Sequence, residues 1–337
     1  MRCLHPGSLV SISCRQRRVV VTDYNFPDVA VERAAAEQHG AQFIACQCKS
    51  AEDVTQAVKD ADVAVVQFAP LTAPAIAGMA QGATVIRYGI GYDNIDLHAA
   101  FDCGLAVGYI PDYCTAEVAD HTVSMVLAAL RKLPQLDASV RAGDWKAVAV
   151  VKPIKPFDQT TVGFLGLGRI GSLVLTRLQP FGFRFLVADP QIDKARAAQL
   201  GATSVERDAL FRHADVISLH APATAETTHV VNAQTLRTMK PDAIIVNTAR
   251  GRLVDEAALA QALAAGNISG AALDVFETEA LPADSPLRGA PNLILTPHAA
   301  WYSEHAIMRL QELAAADIAR ILTGQGPRCP VPGSPGP

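Results

Sequence analysis

Twice along this chain, short apolar runs rich in β-branched residues alternate with stretches of helical periodicity, and that rhythm leaves few folds open. In the first half, residues 18–22 (RVVVT), 41–45, 62–66, 84–86 and 105–109 read as strands, with helical patterns over 28–40 and 51–59. In the second half, 161–165, 183–188, 215–219, 243–246, 268–273 and 293–295 read as strands, and 170–178 and 256–265 as helices. Strands separated by helices return by crossovers, which gives parallel sheets covered on both faces. The expected class is therefore α/β, with two doubly wound domains, because 337 residues are about twice a typical domain.

A long helical pattern, 115–133, links the halves, with Thr115 as a cap, Glu117 in the first turn and Arg131 and Lys132 in the last. Pro134 ends or kinks it, and the Pro-broken stretch 152–158 is a connection. Another helical pattern covers 302–322. Residues 1–17 read as an N-terminal extension without the apolar core of a signal peptide. Residues 325–337, rich in Gly and Pro, read as a flexible tail.

The composition excludes several function classes. The net charge is −4 and no basic stripe is present, so phosphate-backbone binding is not expected and nucleic acid is not a partner. No apolar run approaches the roughly 20 residues that span a bilayer, so no membrane association is expected. The seven cysteines form no zinc-type spacing; Cys46 and Cys48, and Cys103 and Cys114, have no second pair to complete a site. They read as reduced thiols of a cytoplasmic protein without a metal.

Gly166-Leu167-Gly168-Arg169-Ile170-Gly171 stands between a strand and a helix, and Asp189 ends the next strand about twenty residues on. Gly166 permits the tight turn, Gly168 allows close approach to a pyrophosphate, and Gly171 lets the helix pack on the sheet. The helix start offers amide N–H groups and a positive dipole end to the phosphates. Asp189 would accept hydrogen bonds from both ribose hydroxyls and repel a 2′-phosphate. The expected cofactor is NAD, preferred over NADP.

Three polar residues follow apolar strands in the second half: Arg250, Glu279 and His298. Ligands of open α/β sheets bind outside the carboxyl ends of the strands, so the three can converge on one crevice. His298 can exchange a proton with a hydroxyl or a carbonyl oxygen near neutral pH. Glu279 can stabilise its imidazolium, and Arg250 can hold a substrate carboxylate with its planar fork of donors.

Those motifs, in order, resemble the D-isomer-specific 2-hydroxyacid dehydrogenase family: 166–171 with Asp189, then 247–255 (NTARGRLVD), 272–279 (ALDVFETE) and 295–298 (LTPH). The stretch 298–304 (HAAWYSE) is most similar to the branch holding the C-terminal-binding-protein corepressors and their dehydrogenase relatives, near the phosphoglycerate dehydrogenases. The resemblance implies a Rossmann NAD-binding domain, 113–300, inserted in a flavodoxin-like substrate domain made of 18–112 and 301–324, with the cleft between them closing on ligand. It implies that Arg250, Glu279 and His298 are catalytic. Thr248, Ala249 and Asp274 would contact the nicotinamide end, and Ala221 and Pro222 the adenine side. Tyr88, Gly89, Ile90 and Gly91, with Arg250 and Trp301, would contact a small 2-hydroxy or 2-keto acid. Trp301 and Tyr88 suggest an apolar wall that favours an uncharged substrate side chain. The helix after Thr115 would contribute to a homodimer. The family usually places Pro after the catalytic Glu, where Ala280 stands here.

The competing expectation is an NAD(H)-responsive protein-binding module of the corepressor kind, with little turnover. The Trp301 motif favours it; the complete Arg, Glu and His set favours the enzyme.

Overall fold

The computed structural model describes residues 15–336, so residues 1–14 of the expected extension and Pro337 of the expected tail lie outside the described residues. The chain divides into two compact units. One runs through Tyr113 and resumes at Glu304; the other is continuous, Cys114–Ser303.

The first unit contains β1 (Arg18–Val21), α1 (Ala30–Gln38), β2 (Gln42–Ala45), α2 (Ala51–Ala57), β3 (Val63–Val66), α3 (Ala73–Ala77), β4 (Thr84–Arg87), α4 (Leu97–Asp102) and β5 (Ala106–Tyr109). The second contains α5 (Thr115–Leu130), α6 (Leu133–Arg141), α7 (Ala147–Val151), β6 (Thr161–Leu165), α8 (Arg169–Leu178), β7 (Arg184–Ala188), α9 (Lys194–Gln199), β8 (Ala202–Ser204), α10 (Arg207–His213), β9 (Val216–Leu219), α11 (Ala233–Thr238), β10 (Ile244–Asn247), α12 (Glu256–Ala264), β11 (Gly270–Leu273) and β12 (Leu293–Leu295). The chain then returns to the first unit through α13 (Glu304–Leu322).

Both sheets are parallel, and the central strands β3, β9, β10 and β11 are buried along their whole length. Burial on both faces explains why they read as unbroken apolar runs rather than alternating ones. The first sheet has the order β2-β1-β3-β4-β5, the flavodoxin-like arrangement. The second has the order β12-β11-β10-β9-β6-β7-β8, a Rossmann arrangement with an added seventh strand. Its order reverses between β6 and β9, so a crevice opens above the carboxyl ends of those two strands.

Three local expectations need correction. Thr115 is the first helical residue of α5 rather than its cap; Cys114 occupies the cap position and makes no side-chain capping bond. The helix expected over 115–133 stops at Leu130, and Lys132 turns left-handed (φ +51°) before α6 begins. Pro134, without an N–H, is tolerated in the first turn of a new helix but not inside a continuing one.

The expected flexible tail is ordered over its described part. Tyr109 N–H donates to Cys329 O at 3.0 Å and Val331 N–H to Val107 O at 2.8 Å, so the segment lies along β5. Val331 is 2% exposed within the first unit's core, and Arg328 forms paired bonds to Asp112 at 3.0 and 3.1 Å. Its Gly and Pro content suggests disorder, but main-chain pairing to a sheet edge does not depend on side-chain apolarity. Arg15, expected in the loose extension, pairs with Asp62 at 2.8 Å.

Candidate active site

In the second unit the Gly166–Gly171 turn joins β6 to α8, above the strand-order reversal. Gly166 has φ +85°, and a Cβ there would lie 2.9 Å from the main chain at His220 and Ala221. The same Cβ test at Gly168 meets nothing within 4 Å. The turn is thus tight on its protein side and open where a pyrophosphate would approach the start of α8. Arg169 is exposed and Ile170 half-buried at that start. Asp189 closes the turn from β7: Oδ2 accepts from Leu167 N at 2.7 Å and Oδ1 from Gln191 N at 2.8 Å. This geometry fits a dinucleotide whose phosphates sit at the amide end of α8 and whose ribose meets Asp189.

His220 supports the turn from β9, a role not read from the sequence. It stacks on Phe164 with centroids 5.8 Å apart, and its Nε2 pairs with Ser218 Oγ at 2.8 Å. Desolvation pushes the imidazole down to about 4, so it is neutral at physiological pH. Ala221 and Pro222 follow it at the same strand end, and Pro222 O accepts from Thr227 Oγ1 at 2.6 Å.

Beyond β10, the buried Asn247 clamps the next turn. Its side chain accepts from Ala249 N at 3.0 Å and donates to Arg250 O at 2.8 Å. Thr248 Oγ1 pairs with Thr122 Oγ1 of α5 at 2.7 Å, and Thr122 donates on to Val118 O. Ala249 and Arg250 are half-buried at this turn. An Asn is an ordinary strand-end residue in sequence, and only the closed hydrogen-bond ring reveals its work.

Beyond β11 and β12, His298 Nδ1 lies 2.7 Å from Glu279 Oε2, with the side chains 32% and 36% exposed. Burial works to raise the Glu279 carboxyl. The hydrogen bond and charge of His298, the Phe276 N–H and the charge of Arg250 outweigh it and hold Glu279 below the usual glutamate value. Both Arg250 and His298 therefore act electrostatically on Glu279. His298 has φ +51°, a left-handed conformation uncommon for a non-glycine residue.

Asp274 explains how that conformation is held. It is fully buried and accepts from Thr296 Oγ1 at 2.5 Å, Ala299 N at 2.9 Å and Ala300 N at 2.9 Å, while His298 N–H donates to its carbonyl at 2.7 Å. Asp274, expected as a cofactor contact, also fastens the His298 turn. His121 of α5, which sequence reading passed over, reaches the same cluster, with Nε2 3.1 Å from Thr296 Oγ1. Trp301, half-buried, packs edge to face against Tyr302 at 6.0 Å.

In the first unit, Gly89, Ile90 and Gly91 follow β4, and Gly89 has φ +128°. Tyr88 does not belong with them as a substrate wall. It is 1% exposed, and its hydroxyl donates to Glu32 Oε1 at 2.7 Å inside the core. It lies in the bend just after β4, with its ring packed edge to face on Phe26 at 5.3 Å, which an aromatic beside a glycine loop does not advertise. Arg87, also missed, is the cation beside this loop: its guanidinium donates to the Tyr88 carbonyl and lies 6.0 Å from the Phe68 ring.

Glu32 is fully buried, and burial, opposed by the Tyr88 and Gln311 hydrogen bonds, raises its carboxyl above the usual 4.5. A raised folded-state value contributes stability that is present below the ordinary value and lost as pH rises through the folded one. Thermal melts of Glu32→Gln should therefore show a larger gain over wild type at about pH 8 than at about pH 5. An equal shift at both would contradict this.

Among the described residues, no group of three or more His, Cys, Asp or Glu side chains could hold a metal ion, and no helix is long and apolar enough to cross a membrane.

Comparison with known proteins bears on this geometry. The family model for the NAD-binding domain of D-isomer specific 2-hydroxyacid dehydrogenases matches residues 123–300. The chain is similar to a D-3-phosphoglycerate dehydrogenase of Methanocaldococcus jannaschii, 40% identical over 276 residues, which are 81% of this chain and 52% of that one. It thus spans about half the length of that relative. A glyoxylate reductase of Korarchaeum cryptofilum is 37% identical over 277 residues, covering 81% of this chain and 83% of its own. Among solved structures, D-lactate dehydrogenase from Aquifex aeolicus complexed with NAD and lactic acid superposes with a TM-score of 0.81. It is 28% identical, covering 91% of this chain and 96% of that one.

Proposed function

Because the chain belongs to the D-isomer-specific 2-hydroxyacid dehydrogenase family, we propose that it is an NAD-dependent oxidoreductase interconverting a small 2-hydroxy acid and its 2-keto acid. The observation that carries this reading is the 2.7 Å His298–Glu279 contact, with the Arg250 charge acting on the same carboxylate. When bound, the nicotinamide would supply the hydride chemistry at the substrate carbon.

The protein's own groups do the rest. With Nδ1–H given to Glu279, proton exchange with the substrate oxygen falls to His298 Nε2. In reduction the imidazolium donates to the developing alkoxide; in oxidation the neutral ring accepts the hydroxyl proton. Ionised Glu279 fixes the tautomer and stabilises the imidazolium. Arg250 grips the substrate carboxylate with two parallel N–H bonds and polarises the neighbouring keto oxygen. Trp301 supplies an apolar wall. Gly166–Gly171, Ala221, Pro222, Thr248 and Ala249 would hold the cofactor.

Asp189 supports NAD over NADP, because its carboxylate would face a 2′-phosphate with like charge. The named relatives and the complete His, Glu and Arg set support turnover over a purely corepressor-like role. The test is a panel of glyoxylate, hydroxypyruvate and larger 2-keto acids with NADH and NADPH side by side. NADH-driven reduction of at least one acid is expected. No turnover across the panel rejects the enzyme reading, and better use of NADPH rejects the assignment to Asp189.

A homodimer is part of the same proposal. Among the described residues, α6 and α7 bury no side chain, while Leu133, Val140, Trp145 and Val148 are 53%, 53%, 88% and 74% exposed. Such an apolar arm fits the second copy of this chain that the family resemblance leads one to expect. Light scattering should show a dimer for wild type and monomer for Trp145→Asp with Val148→Asp; a wild-type monomer at assay concentration would refute it. Among the described residues the free thiols of Cys46, Cys48, Cys103 and Cys329 support a reducing compartment, the cytoplasm.

A further inference from the structure

A second His–Glu pair anchors the segment that carries Glu279, and the chemistry just described does not use it. His229, between β9 and α11, places Nε2 2.7 Å from Oε1 of Glu277, two residues before Glu279. Both partners are fastened through their backbones. His229 N–H donates to Arg252 O at 2.8 Å, and Glu277 N–H donates to Glu256 Oε1 at 2.7 Å. His229 itself sits at φ +50°, held by Asn232 Nδ2 donating to its carbonyl at 2.8 Å.

The turn bearing Arg250 presses on the same segment. A Cβ at Gly251 would lie 1.9 Å from the Phe276 carbonyl carbon, so only glycine lets the two loops meet. Residues 277–280 are all exposed, so core packing does little to fix the position of Glu279. Glu256 places a carboxylate beside Glu277, and the His229 ring meets the Glu277 side chain at 2.7 Å. An ion pair with side chains 44% and 36% exposed adds little to global stability. Its effect is local and geometric.

We infer that His229 and Glu277 form a positioning pair that holds the Glu279 carboxylate at hydrogen-bonding distance from His298. This rests on the acid–base reading above. Neither residue touches the reacting atoms; both act through Glu279.

The test compares His229→Ala in the wild-type and Glu279→Gln backgrounds, with NADH and whichever 2-keto acid the panel identifies. In the wild-type background kcat should fall roughly tenfold, KM changing by less than about twofold, because a small displacement of an orienting group costs rate more than binding. In the Glu279→Gln background no further fall is expected, and His229→Gln, which keeps a nitrogen donor for Glu277, should recover most of the rate. An equal loss in both backgrounds, or none in the wild-type background, overturns the inference.

A second readout does not need turnover. Proton NMR of histidine-labelled protein follows the Nδ1 proton shared by His298 and Glu279, assigned by its disappearance in Glu279→Gln. It should broaden or vanish in His229→Ala; an unchanged signal overturns the inference. Absence of turnover by wild type would count against the acid–base reading, and the NMR result would still decide the positioning role.

Discussion

Replacing His298 with alanine should cut NADH-dependent 2-keto acid reduction by roughly 10²- to 10⁴-fold, the range that a positioned acid–base group contributes. NADH binding, followed by fluorescence, should change little, because the dinucleotide turn lies at β6 and α8. Glu279→Gln should lose less, since it removes the imidazolium's partner but leaves the imidazole. The pH dependence has a defined sign. The hydrogen bond and charge of His298, with the Phe276 N–H and Arg250, hold Glu279 below its usual 4.5 against the opposing effect of burial. Its contribution to folding is complete above the ordinary value and is lost as pH falls through the depressed folded value. Any acid limb set by Glu279 should thus fall below pH 4.5 in wild type and be missing in Glu279→Gln. Full turnover by His298→Ala would remove this histidine from the chemistry.

Asp274→Ala should be the most destabilising single change at the site. Three donors converge on this fully buried carboxylate, from Thr296 Oγ1, Ala299 N and Ala300 N. Deleting the acceptor leaves buried donors unpaired at about 1–3 kcal/mol each, partly relieved by water, so a loss of roughly 3–5 kcal/mol is expected. For a unit of this size that corresponds to a fall of about 10 °C in Tm. Turnover should fall as well, because the same bonds hold His298 in its left-handed conformation. Asp274→Asn keeps one oxygen acceptor and should lie between alanine and wild type. Calorimetry and the reductase assay on the three proteins check this. A Tm for Asp274→Ala within about 2 °C of wild type would show that the turn is held by something else.

The parts of this molecule that could be read in the sequence are those where backbone sterics or strand periodicity leave a direct trace. Gly166, Gly168 and Gly171 announce a turn because few other residues tolerate it. The apolar runs of β9 and β10 announce buried parallel strands for a similar reason. What escaped notice depends on direction or on pairing. Tyr88 looks like a ligand wall because an aromatic stands next to glycines, yet its ring packs on Phe26 and its hydroxyl bonds Glu32. The resemblance implies Asp274 as a cofactor contact, but the three local donors that also meet it leave no trace in the sequence. Residues 325–336 look loose because they are poor in large apolar side chains, while what fixes them is main-chain bonding to β5. The apolar positions of α6 and α7, which bury nothing within this chain, gave no pattern that a core-facing helix would have.

The connectivity has a consequence for how the polypeptide matures. The second unit is one unbroken stretch, so all of its strands are available once the chain through Ser303 has emerged from the ribosome. The first unit has its strands made early but lacks α13 and the segment that covers β5 until residues 304–331 have also emerged from the ribosome. During that interval Val107 and Tyr109 have no partner on their outer side, and the earliest-made half waits as an unfinished sheet beside a later-made half that can already fold. A released chain truncated after Ser303 should accordingly yield a protease-resistant fragment from its later part, beginning near Cys114, rather than from its earlier part.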